Sequence, residues 1–158
     1  MCDTPTLLCL TGFLGSGKTT VKNMFAKYQD VEVCSDIDKI KGLKTKKKLI
    51  VFDSIKSMDE RTYLKWVSHC PTIVVNVDCP IETRIQRVKE RDGCSDMAFH
   101  LRDKEGKNKL YDLSSLVKYN IHNGRSLEET SGQVYYIHDL LTRDHTLELL
   151  KFNLTNQK

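Results

Sequence analysis

The chain has 158 residues, enough for one compact domain around one core, with no repeat and no low-complexity segment beyond a lysine cluster. Charged residues at 29% and hydrophobic ones at 39% are ordinary for a soluble globular protein, and a solvated surface accounts for the net charge of +4 as well as any polyanion does. No apolar run reaches membrane-spanning length, no secretory signal opens the chain, and six cysteines without C-x-x-C pairs or zinc-ligand spacing point to reduced thiols in a cytoplasmic or nuclear setting.

The first predicted element is a short apolar strand, Thr6–Thr11. It runs into Gly12-Phe13-Leu14-Gly15-Ser16-Gly17-Lys18-Thr19, the G-x-x-x-x-G-K-[ST] phosphate loop or Walker A motif. Behind the loop, Val21, Met24, Phe25 and Tyr28 fall at i, i+3, i+4 and i+7, one face of a helix. Strand, glycine loop and helix are the setting in which this pattern binds a nucleoside triphosphate. Loop amides and the positive helix end meet the phosphates. Gly12, Gly15, Ser16, Gly17, Lys18, Thr19 and Thr20 are therefore the candidate nucleotide ligands. Lys18 would reach the β- and γ-phosphates, and Thr19 would place its hydroxyl on Mg²⁺.

A second strand is predicted at Val31–Cys34, followed by Asp36 and Asp38. Carboxylates just past a strand's C-terminal end lie where open α/β sheets hold their ligands. The basic run Lys41–Lys48 reads as a solvated return loop, with a nucleic-acid or phosphate patch as the less favoured reading. Leu49–Phe52 is a buried strand delivering Asp53, the form of a Walker B element, so Asp53 joins Thr19 as a candidate metal residue.

A helix is expected over Asp59–Cys70 with Tyr63, Leu64 and Val67 inward, then a buried strand at Thr72–Val77. The next helix starts near Asp78 and Pro80, carries Ile81, Ile85 and Val88 as its core stripe, and stops at Gly93. Arg84, Arg87 and Arg91 line another face of it, either as a functional group or as a solvated face paired with Glu82 and Glu90. The stretch from Cys94 to Lys109 is polar and poorly periodic. Leu110, Leu113, Leu116 and Val117 suggest a helix, and Lys118–His122 a last strand. Asn123-Gly124 turns the chain, and Ser126 with Glu129 forms a capping box for a helix with Leu127, Val134, Ile137 and Leu141 inward. Beyond Arg143, Leu147 and Leu150 favour helix while Leu150, Phe152 and Leu154 alternate like a strand. Strands alternating with helices predict a three-layer α/β fold, a five-stranded parallel sheet with helices on both faces and the site at its C-terminal edge.

Four stretches, in order along nearly the whole chain, give a resemblance. Leu10–Thr19, Ser35-Asp36-Ile37-Asp38-Lys39-Ile40, Val75–Pro80 with the arginines after it, and Asn120–Glu129 resemble segments of the P-loop nucleoside monophosphate kinases, most of all dephospho-CoA kinases and their small relatives. The resemblance implies a kinase using ATP and Mg²⁺ on a nucleotide-like acceptor. It implies that Asp38 contacts the acceptor hydroxyl and that the loop at Asn123 and Gly124 binds the adenine. Arg87, Arg91 and Arg102 would close over the transferring phosphoryl group from a lid at about residues 93–109. Two departures matter. Only about ten residues separate Asp38 from the strand at Leu49, where dephospho-CoA kinases insert a helical acceptor region. Lys56 stands where archaeal relatives have arginine, keeping the charge without the planar two-pronged grip. Two other readings stay open: a nucleotide-binding regulator without transferase activity, and a nucleic-acid end kinase using the lysine run. No Asn-Lys-x-Asp segment follows a strand, which argues against a GTPase.

Overall fold

Near-continuous apolar runs leave most strand residues no solvent-facing side, and the strands assemble as that pattern requires. The computed structural model describes residues 4–41 and 43–143. Cys2 and the ambiguous tail with Leu147, Leu150, Phe152 and Leu154 lie outside them. Five strands, β1 (Thr6–Thr11), β2 (Val31–Cys34), β3 (Leu49–Phe52), β4 (Thr72–Asp78) and β5 (Val117–His122), form one sheet in the order β2-β3-β1-β4-β5. Every pairing is parallel. All four residues of β3 are buried, as is β1 from Leu7 onward.

The two sheet faces bury separate sets of residues. Leu8, Leu10, Val51, Val75 and Ile121 pack with Val21 and Phe25 of α1 (Lys18–Ala26) and with Val134 and Ile137 of α6 (Leu127–Thr142). Leu7, Cys9, Ile50, Phe52 and Val74 pack on the other face. Their partners are Ile40 of α2 (Ile37–Ile40), Leu64 and Val67 of α3 (Met58–Ser68), and Leu113 of a 3₁₀ helix, Tyr111–Leu116. Alternate residues of β1 thus serve opposite cores, which is the period-2 logic of a central strand. Tyr28, just past α1, stacks on His138 of α6 with ring centroids 3.9 Å apart.

Helix starts carry side-chain caps, the one at Ser126 as predicted. Ser126 accepts from the Glu129 amide, Asp36 from the Asp38 amide, and Ser57 from the Glu60 amide. Gly93 ends α4 (Ile81–Asp92) in the left-handed region at φ 65°.

Several inward assignments differ. Val88 is fully buried on α4, but Ile81 is exposed and the buried residue one turn before Val88 is Arg84. Tyr63 and Leu127 also face outward, because Leu64, Val67, Val134 and Ile137 already fill the core-facing sides of their helices. The aperiodic stretch after Cys94 is a continuous helix, α5 (Asp96–Leu110), capped by Ser95. It buries only Phe99 and Asp103, one turn apart, so no apolar stripe betrays it. Leu110 closes that helix, and the predicted helix after it shortens to the 3₁₀ segment.

Candidate active site

The chain leaves β1 at Thr11 and re-enters helix at Lys18, so the phosphate loop caps the C-terminal end of the central strand. There β1 lies between β3 and β4, reached by crossovers in opposite directions, the switch point where open α/β sheets bind ligands. Gly15 and Gly17 take φ 79° and 94°, values closed to most side chains. A Cβ at Gly12 would stand 2.6 Å from the Val77 carbonyl oxygen, and one at Gly17 would stand 2.1 Å from Asn123 Nδ2. The first turn of α1 holds no acidic residue, so its positive end is unopposed by a local carboxylate.

The Lys18 ammonium donates to the carbonyls of Gly12 at 2.9 Å and Phe13 at 3.3 Å. Burial is the main force pushing its pKa down, to about 8; Arg91, Arg84 and Lys56 push the same way and Asp53 opposes them. A half-buried cation among like charges suits a polyanion. Phosphate oxygens would restore its charge, so binding of a nucleotide should take up a proton between pH 8 and the ordinary value of 10.5. Affinity should correspondingly fall as pH rises above 8. Titration calorimetry just above pH 8 in buffers of different ionisation enthalpy checks this, and Lys18→Ala should abolish the uptake.

Asp53 follows β3 directly. Its Oδ2 accepts from Lys22 Nζ and from Ser35 Oγ, each at 3.2 Å. Lys22 is one turn beyond Lys18 on α1, a spacing visible in the sequence but not singled out. Thr19 is exposed at the start of the same helix. One hydroxyl and one carboxylate form an all-oxygen donor set that fits Mg²⁺ when phosphate oxygens complete it.

The arginines separate into three positions. Arg87 lies against the loop's backbone: its guanidinium donates to the carbonyls of Ser16 at 3.2 Å and Asn123 at 2.9 Å. It joins the phosphate loop to the turn after β5. Asn123 completes that joint, donating from Nδ2 to the Ser16 carbonyl while its Oδ1 accepts from Thr130 Oγ1, each at 2.9 Å. Gly124 packs so closely on Pro80 that a Cβ there would meet the ring at 2.4 Å. Arg91 and Arg102 instead converge on one carboxylate. Asp92 accepts from Arg91 Nε at 2.9 Å and Arg102 Nη1 at 3.0 Å, and these bonds hold its pKa down at about 2. Arg84 is buried, donating to Asp103 Oδ1 at 2.7 Å and to the Leu14 carbonyl at 3.2 Å. It ties α5 to the phosphate loop. Sequence spacing grouped Arg84 with Arg87 and Arg91 but gave no sign of a partner nineteen residues on. Asp38 is exposed in the single turn of α2, its amide bonded to Asp36 Oδ1. Ser16 and Thr20 stand at the loop and first turn, Ser16 buried with its Oγ lacking a partner among the described residues.

No family model and no curated protein matches the sequence. Solved structures do match. The shikimate kinase from Acinetobacter baumannii, solved with shikimate, superposes with a TM-score of 0.57 at 19% identity, over 87% of this chain and 93% of its own. A gluconokinase from Sinorhizobium meliloti gives 0.57 at 17% identity over 98% of both chains. A fungal RNA kinase gives 0.58 at 13% identity, over 93% of this chain and 91% of that one. The fold is that of the P-loop kinases. Among the described residues, no helix is long and apolar enough to cross a membrane.

Proposed function

We propose that the chain is an ATP- and Mg²⁺-dependent phosphotransferase that moves the γ-phosphate to a small nucleotide-like acceptor, of nucleoside monophosphate size or dephospho-CoA-like. The observation that carries this reading is Lys18, a half-buried ammonium with a depressed pKa at the mouth of a glycine loop, near Arg91 and Asp53. Phosphoryl transfer asks little covalent chemistry of a protein and much alignment and charge neutralisation. Loop amides and Lys18 hold the donor, and Thr19 and Asp53 would hold Mg²⁺. The metal, when bound, offsets charge on the phosphate oxygens. Arg87 and Asn123 keep the loop and the adenine-side turn in register. Arg91 and Arg102, tethered to Asp92 but half exposed, are free to swing onto the phosphoryl group. Asp38 orients the acceptor hydroxyl and accepts its proton as the bond to phosphorus forms.

ADP release is measured with Mg-ATP against ribo- and deoxynucleoside monophosphates, dephospho-CoA and a 5′-hydroxyl oligonucleotide. A mononucleotide should be the best acceptor, since the one-turn α2 leaves no helical region for a longer one. Asp38→Asn should keep ATP affinity and lose most acceptor-dependent turnover. Asp36→Ala should instead cost stability, about 1 kcal/mol for a lost helix cap. Full turnover by Asp38→Asn removes that residue from the mechanism. The oligonucleotide arm addresses a second reading, an end kinase, which the exposed side chains of Lys39, Lys41, Lys44, Lys46 and Lys48 favour as a cationic stretch. Lys47 is engaged with the Gln29 carbonyl. Steep loss of oligonucleotide binding with salt would support that reading over the first.

A further inference from the structure

A cavity of about 450 Å³ opens beside the phosphate loop on the 3₁₀-helix side of the sheet. Its walls include Thr11, Phe13, Asn76, Tyr111, Ser114 and Asn120, and among the described residues no ionised side chain lines it. Its floor is unusual for a sheet interior. Thr11 is only 3% exposed, yet its Oγ1 has no hydrogen-bond partner among the described residues. Leaving a buried hydroxyl unsatisfied costs free energy, and a ligand at that point would remove the cost. Beside it, Asn76 Nδ2 donates to Asn120 Oδ1 at 3.0 Å. That bond fixes both amides and leaves Asn76 Oδ1 and Asn120 Nδ2 without a partner among the described residues, one acceptor and one donor. The strands were bent to bring them there. Val74 pairs with Val117 but Val75 pairs with Tyr119, so β5 carries an extra residue. This bulge lets Val117 and Asn120, three positions apart, line one cavity. Phe13, under the cations of Arg84 and Lys107, forms an apolar wall, and Tyr111 stands at the mouth with 76% of its surface exposed.

From this we propose that the cavity is a binding site for an uncharged nucleobase, the base of the acceptor. A heterocycle with adjacent N–H and C=O groups matches the donor and acceptor left by the two asparagines. Its third polar atom would reach Thr11 Oγ1, and its face would lie against the aromatic walls. Charged head groups are disfavoured here, since among the described residues no ionised side chain lines the cavity and the cations over Phe13, Arg84 and Lys107, are paired with Asp103. The assignment rests on the kinase reading for what the base is attached to, but not for its binding.

The test is binding of free nucleosides (uridine, cytidine, adenosine and guanosine) to the full chain, followed by NMR line broadening and calorimetry, with sorbitol and ribose as polyol controls. At least one nucleoside should bind, and Thr11→Val and Asn120→Ala should each weaken it about tenfold, the value of a good hydrogen bond lost. Thr11→Val exchanges an unbonded hydroxyl for a methyl of the same shape, so the fold should stand, and ATP affinity should be unchanged in it. No nucleoside binding, tighter binding of the polyols, or nucleoside affinity indifferent to Thr11→Val each overturns the proposal. ATP titration of the same samples is read separately: failure there condemns the kinase reading and leaves the cavity to its own result.

Discussion

Lys18→Ala should fold as the parent does and lose phosphoryl transfer by about 10²–10³-fold, the usual cost of removing one preorganised charge contact. The side chain stands at the first position of α1, bonded to the carbonyls of Gly12 and Phe13, and belongs to neither apolar core. Its burial is a liability for the protein alone, because the ammonium is desolvated and surrounded by Arg91, Arg84 and Lys56. Removing it should therefore leave the melting temperature level or slightly raised, while turnover collapses. Steady-state ADP release and a thermal melt on the same preparation check both halves. Parental turnover in a folded variant would remove the residue on which the proposed function rests.

The second large effect is structural. Asp103→Ala should destabilise the fold by about 3–5 kcal/mol, since it strands the buried Arg84 guanidinium without its counter-charge. Both side chains are only 4% exposed and meet at 2.7 Å. Arg84 Nε already lacks a partner among the described residues, so no spare acceptor is waiting inside. Replacing both partners, Arg84→Met with Asp103→Leu, should recover most of that loss, because apolar pairs of similar volume commonly match buried ion pairs. Denaturant melts of the three variants measure it. The double variant also separates roles. If Arg84 only ties α5 to the loop at Leu14, the double variant should keep ATP affinity within a few-fold of the parent.

The contrast between these residues explains what the sequence could disclose. Lys18 is legible because its neighbours in space are its neighbours in the chain: a glycine loop, a strand before and a helix after. The sheet is legible for a related reason, since Leu49–Phe52 and the run Ile73–Val75 are apolar on both faces, which a covered parallel sheet accommodates. The cap at Ser126 acts over three residues and was equally plain. Arg84 was not, because its partner lies on another helix and its burial contradicts the hydropathy of its own. The amphipathic template favoured Ile81 and Ile85 on α4, yet the ion pair took the inward place. For α5 the same pair hides the helix, with Asp103 filling a position where a periodic pattern expects an apolar residue. The bulge in β5 leaves no mark on composition, so the convergence of Thr11, Asn76 and Asn120 needed three dimensions.

Transfer itself is the central claim, and following a radiolabelled γ-phosphate tests it most directly. The chain is incubated with labelled ATP, Mg²⁺ and each acceptor of the panel, and the products are separated. Label is expected on a mononucleotide acceptor, absent with Lys18→Ala and strongly reduced with Asp38→Asn. Tight ATP binding with label remaining on ATP, or passing only to water, would contradict it and make the chain a nucleotide-binding protein without transferase activity.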